Sequence, residues 1–242
     1  MTTEVAAVPP RRPRRLWLVG IAVLLAAVGL TGWLIAGGGG ESRALISEHP
    51  GSQLHTNPLP DPEHTGWHGA LLDEPIPRPE FTLTDTEGRP YDIATETAGE
   101  PTLLYIGYTS CPDICPLHLS HIADALHELD GDGDGIEVVF VTADPERDDP
   151  ATLERYLDAF HPSFVGLTGS EEEIAAALAA VGQPPPDRYN ERNGGAYEVT
   201  HPSQVIAFST DDQAHLVFPF GTSRDGWVRD LPRLVEGEVP SS

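Results

Sequence analysis

The chain has 242 residues, 39% of them hydrophobic, with 38 Asp and Glu against 14 basic residues and a formal net charge of −24. Every basic residue is an arginine. This balance excludes a nucleic-acid binder, which needs a basic face to replace the cations around phosphate, and the apolar content excludes a disordered acidic tail.

Taken in chain order, residues 1–15 form a short basic N-terminus carrying Arg11, Arg12, Arg14 and Arg15. An uncharged run of 21 residues follows, 16–36, close to the ~20 needed to span a bilayer. Trp17 and Trp33 lie near its ends, where indole rings favour the interface. This predicts one transmembrane helix with its basic end in the cytoplasm and everything beyond it extracytoplasmic. A cleavable signal peptide is the alternative reading, but the run is long for one and no A-x-A site follows. Residues 37–78, opening on four glycines and rich in Pro, His and Asp, read as a flexible linker. Its His49, His55, His64 and His68 lack metal-ligand spacing and read as exposed filler.

The globular domain is expected over 79–242. Phe81–Leu83 and Tyr91–Ile93 around Asp85-Thr86-Glu87-Gly88 read as a hairpin that extends the domain at its N-terminal end. Thr102–Tyr108 is a buried central strand, and Leu119, Ile122, Leu126 and Leu129 recur at helical spacing after it. EVVFVT (137–142) is a second buried strand. Asp149-Pro150 supplies a cap and a first-turn proline for a helix, and Ser170 with Glu173 forms a capping-box pattern for the next, which ends near Gly182. A short strand at Phe164–Leu167, a hairpin of Val205–Ser209 with Ala214–Phe218, and a helix from about Arg224 to Glu236 complete the list. This order predicts an α/β sheet with an antiparallel edge, a thioredoxin-like arrangement whose strand order is not readable. Asp130–Gly135 matches the first half of a calcium loop, but its twelfth position is Val141, where a bidentate Glu is required.

The two cysteines carry the chemistry. Cys111-Pro112-Asp113-Ile114-Cys115-Pro116 stands where a strand hands over to a helix. Pro116 at the first helical position would make Cys115 the cap. Unpaired amides and the helix dipole there favour thiolates. Two thiolates so close suit Cu(I) or Zn(II) with an added imidazole, or close into a disulfide. Spacing alone leaves metal and redox roles open. Asp113 reads equally as a carboxylate beside a metal or as a turn former. Asp144-Pro145-Glu146-Arg147-Asp148 reads as a turn with a local Arg–carboxylate pair, with partner docking as the alternative.

FTLTDTEG (81–88), YIGYTSCPDICP (105–116), VFVTADPERD (139–148), Leu167-Thr168-Gly169 and YEVTH (197–201) together resemble the Sco/SenC copper proteins, in collinear order. The resemblance implies a thioredoxin-like domain that binds one copper, Cu(I) or Cu(II), through Cys111, Cys115 and His201. In such folds the loop entering the Val205 strand faces the cysteine turn, which favours His201 over His118 and His121. The implied role is metallochaperone, or thiol reductant, in assembling the binuclear copper centre of cytochrome c oxidase subunit II. The expected protein is therefore a single-pass membrane copper chaperone, with a thiol–disulfide oxidoreductase acting on a partner copper protein as the alternative. The sequence departs from the family at Thr200-His201-Pro202, where members usually carry an Asp before the His. That loss removes an expected partner for the imidazole.

Overall fold

The computed structural model describes residues 60–129, 135–191 and 196–240. The expected anchor at 16–36 and the Asp130–Asp134 loop lie outside them. Among the described residues no helix is long and apolar enough to cross a membrane.

The chain opens with α1 (Pro62–Thr65), β1 (Ala70–Pro77), β2 (Thr82–Asp85), β3 (Pro90–Asp92), α2 (Ile93–Glu96) and β4 (Thr102–Gly107). It continues through α3 (Ile114–Glu128), β5 (Glu137–Thr142), α4 (Pro150–Asp158), β6 (Val165–Thr168) and α5 (Glu171–Ala180). It closes with β7 (Arg188–Tyr189), β8 (Glu198–Val199), β9 (Val205–Phe208), β10 (Gln213–Phe218) and α6 (Arg224–Val235). Eight strands form one sheet in the order β1-β10-β9-β4-β5-β6-β2-β3, while β7 and β8 pair separately. β4, β5 and β6 run parallel, and the strands on both flanks are antiparallel. The two central strands are apolar almost throughout because helices cover both of their faces. Tyr105 and Phe140 are register partners, and their rings meet His118 of α3 and Tyr156 of α4 on one face. Leu104, Ile106 and Val141 point the other way, against Ala177 and Leu178 of α5.

The capping signals take the form the sequence predicts. The Asp149 carboxylate accepts from the Thr152 amide, and Ser170 and Glu173 close a reciprocal capping box. Three expectations need correction. The stretch expected to be linker up to residue 78 contains α1 and β1, and β1 pairs with β10 at the sheet edge. Trp67 just before it is buried, and Asp230 accepts from the backbone amides of His68 and Gly69 and meets the His68 ring. The hairpin β2–β3 is no appendage, since β2 extends the main sheet beyond β6. Finally, α3 begins at Ile114 with Asp113 as its cap, so Cys115 lies inside the first turn and Pro116 sits one residue deeper. Proline is tolerated there because first-turn amides have no partner within the helix.

Candidate metal centre

Three elements deliver the site. The end of β4 and the turn after it carry Cys111, whose amide bonds the Tyr108 carbonyl at 3.1 Å. The first turn of α3 carries Cys115, and the segment between β8 and β9 carries His201. One ligand atom from each lies within 4.8 Å of the others. The His201 Nε2 is 3.7 Å from the Cys111 sulfur and 3.9 Å from that of Cys115. Both thiols are free and buried, while His201 is half-buried.

Gly107 makes room for Cys115. A Cβ at that position would stand 2.6 Å from the Cys115 sulfur and 2.8 Å from the Phe140 ring. Tyr105, two residues earlier on the same face of the strand, donates its hydroxyl to that sulfur at 3.3 Å. The Asp113 side chain makes no capping bond, and the Cys111 sulfur takes its place by accepting from the Cys115 and Asp113 amides.

The two thiols therefore differ. The Cys111 pKa falls to about 3, first through the hydrogen bond from the Cys115 thiol, against the opposing effect of partial burial. His201 and the two helix-start amides add to the fall. Burial first, then the neighbouring Cys111, push the Cys115 thiol well above its ordinary value. The pair favours a thiolate at Cys111, which lines the groove in front of the site, and a thiol at Cys115 behind it.

His201 keeps an orienting partner without the expected Asp. Its Nδ1 sits 2.8 Å from the Pro202 carbonyl, an acceptor, so Nδ1 carries a proton. Nε2 is the ring nitrogen directed at the two sulfurs. The Tyr108 ring packs edge-on against the imidazole at 5.4 Å. In front lies an open groove of about 330 Å³, lined by Cys111, His201, Asp113, Tyr189 and Glu198 among others. Asp113 is exposed at its mouth.

Among the described residues the other histidines do not join. His118 is buried against Tyr105, Trp227 and Phe220, and burial lowers its pKa to about 4. His121 meets the Thr222 carbonyl. In the Asp144–Asp148 loop the expected local Arg–carboxylate pair is present, formed by Arg147 with Asp144. The sequence does not by itself mark Tyr105, Gly107, Tyr108 and Tyr197 as site residues. Alternation along β4, which puts Tyr105 and Gly107 on one face ahead of the cysteines, was the available signal for the first two.

The donor chemistry fits a soft metal ion. Two sulfurs and one imidazole within 4.8 Å can hold Cu(I) or Cu(II), with a side left open to the groove. A thioredoxin-like sheet bearing a helix-start dithiol and an imidazole presented from a neighbouring loop defines a dithiol–histidine protein of that fold. The SCO1/SenC family model matches residues 72–236, and the chain belongs to that family. It is 41% identical over 110 residues to the mitochondrial SCO2 homolog of Mus musculus, covering 45% of this chain and 43% of the mouse protein. The match thus spans less than half the length of that relative. Among solved structures it is similar to apo Sco1 of Thermus thermophilus, with TM-score 0.62 and 32% identity over 69% of this chain and 96% of that one. It is also similar to Bradyrhizobium japonicum ScoI with copper bound, with TM-score 0.57 and 32% identity over 66% and 99% of the two chains.

Proposed function

We propose that this protein is a copper-binding metallochaperone, anchored in the membrane by residues 16–36 with its globular domain outside the cytoplasm. It would serve assembly of the binuclear copper centre in cytochrome c oxidase subunit II. The observation that carries this reading is the convergence of Cys111, Cys115 and His201 donor atoms within 4.8 Å, supported by the copper-bound ScoI that the chain resembles. Copper is the cargo. Cys111 and Cys115 hold it through sulfur and His201 through Nε2, and the open groove admits an acceptor's thiolate, which replaces these ligands one at a time.

The test is an anaerobic copper titration of the reduced full-length chain in detergent, beside Cys111→Ser and His201→Ala. One copper per chain is expected, with thiolate-to-Cu(II) absorption lost in Cys111→Ser. Affinity should fall by at least about tenfold in His201→Ala, as ligand and ligand-support losses do. Sub-stoichiometric copper in the wild type would overturn the reading.

The outward Cys111 thiolate with a buried thiol behind it supports a second reading, a thiol–disulfide oxidoreductase. Cys111 would attack a partner disulfide and release one partner thiolate. Cys115, losing its proton, would then close the intramolecular disulfide and release the other, so two electrons pass to the partner. In that case thiol–disulfide exchange would persist in His201→Ala.

A further inference from the structure

The two cysteines and the histidine come from segments 90 residues apart, and the Asp144–Asp148 loop between β5 and α4 touches both. At one end, Asp148 is fully buried and accepts from the Thr109 amide at 2.9 Å and the Thr109 hydroxyl at 2.5 Å, two residues before Cys111. The Thr142 hydroxyl donates to the same carboxylate at 2.7 Å. At the other end, Arg147 pairs with Asp144 and donates through Nη1 to the Tyr197 carbonyl at 3.1 Å, just before β8 and His201. Its guanidinium lies 3.7 Å over the Tyr197 ring and 5.7 Å from the Tyr108 ring. Nη2 is buried without a hydrogen bond, so ring faces rather than acceptors hold that side. Tyr197 returns its hydroxyl to Asp144 at 2.9 Å. Tyr108 in turn carries the His201 ring against its edge and takes a backbone hydrogen bond from Val199.

We infer that Arg147 is a positioning residue, the planar clamp that fixes the His201 segment on the cysteine turn while Asp148 fixes the turn itself. Neither residue touches the donor atoms. A guanidinium suits this role because one group can lie over an aromatic face, pair with a carboxylate and donate in plane to a carbonyl. A lysine ammonium can satisfy the charge but cannot do all three.

The experiment uses the full-length chain in detergent and has two arms. The first is hydrogen exchange of the copper-free protein, wild type against Arg147→Gln, Arg147→Lys, Tyr197→Ala and Thr109→Val. Arg147→Gln, Arg147→Lys and Tyr197→Ala are expected to speed exchange about tenfold or more over 198–204 alone, with β4 and β5 unchanged, as loss of a local tether does. Thr109→Val should act on 108–112 alone. The second arm rests on the copper reading proposed above. Arg147→Gln and Arg147→Lys should bind copper about 10–100-fold more weakly, with loss of the imidazole nitrogen signature in the Cu(II) electron paramagnetic resonance spectrum and retention of sulfur-to-copper absorption. Tyr197→Ala stands in if the Arg147 variants do not fold. Unchanged exchange over 198–204 in a folded variant overturns the inference. So does a uniform rise that includes β4 and β5, which would mark general destabilisation, and so does wild-type behaviour in Arg147→Lys. If wild-type protein binds no copper, the proposed function fails while the exchange arm still decides the role of Arg147.

Discussion

Cys111 and Cys115 stand four residues apart in sequence and in opposite electrostatic settings. One sulfur caps a helix start, and the other is sealed behind it against β4. At pH 5, iodoacetamide should therefore label Cys111 of the copper-free reduced protein at nearly its pH 8 rate, while Cys115 stays unlabelled. Peptide mass mapping reads both. A sharp fall in Cys111 labelling below pH 7 would show that its thiolate is not held. The same shift sets a stability slope. The folded Cys111 pKa lies below the ordinary value, so its contribution is present above the unfolded pKa and declines as pH falls toward about 3. The melting-temperature gap between wild type and Cys111→Ser should then narrow from pH 8 to pH 4. Gly107 tests the packing behind the pair. Alanine there places a Cβ 2.6 Å from the Cys115 sulfur and against Phe140, an overpacking expected to cost about 1–3 kcal/mol in urea unfolding. It should also expose Cys115 to alkylation.

At the scale of elements, what could be read from sequence divides by how local the signal is. The helices over 150–158 and 171–180 were legible because a capping residue, a first-turn acid or proline and a short apolar stripe lie within a few residues of one another. β4 and β5 were legible as apolar runs. β1 was not, since ALLDEPIP carries two acids and two prolines and looks like tether. An edge strand buries one face and needs only one row of partners, so charges and proline are admissible in it. β7 and β8, two residues each, are too short to show any period. The cysteine pair declared itself by spacing. His201 needed the family resemblance, and Arg147 and Tyr197, 50 residues apart, meet each other and Tyr108 only through tertiary packing. The β1 correction has a consequence for truncation. Removing residues 1–59 should leave the cooperative unfolding transition intact. Removing 1–78 strips β1 from β10 and takes Trp67 and Arg78 out of the core. It also leaves the Asp230 carboxylate buried without its His68 and Gly69 donors, at about 1–3 kcal/mol for the carboxylate alone. A loss of the cooperative transition by circular dichroism is expected. Equal melting curves for the two truncations would place β1 outside the stabilising core.

Over the whole molecule, the net charge of −24 is carried with arginine as the only permanent cation. Several of those arginines pack on rings while also pairing with carboxylates: Arg78 lies over Phe208, Arg147 and Arg188 over Tyr197, and Arg233 over Trp67. Carboxylates nonetheless outnumber arginines 38 to 14, and their mutual repulsion opposes the compact state. Opposing that are exposed ion pairs such as Arg224 with Asp124 and Glu128. Pairs of this kind contribute about 0–1 kcal/mol each and are themselves screened by salt. The repulsion sums over many more pairs and acts over longer range. Shortening the Debye length from about 30 Å at 0.01 M to about 10 Å at 0.1 M therefore removes more repulsion than attraction. The melting temperature of the copper-free protein should rise as sodium chloride is added from about 0.01 M to about 0.3 M, with most of the gain below about 0.1 M. A fall over that range would mean that the surface arginine pairs outweigh the unbalanced carboxylates. Arg224→Gln tests this directly, because its stability loss should be small and should shrink with salt while the wild-type rise persists.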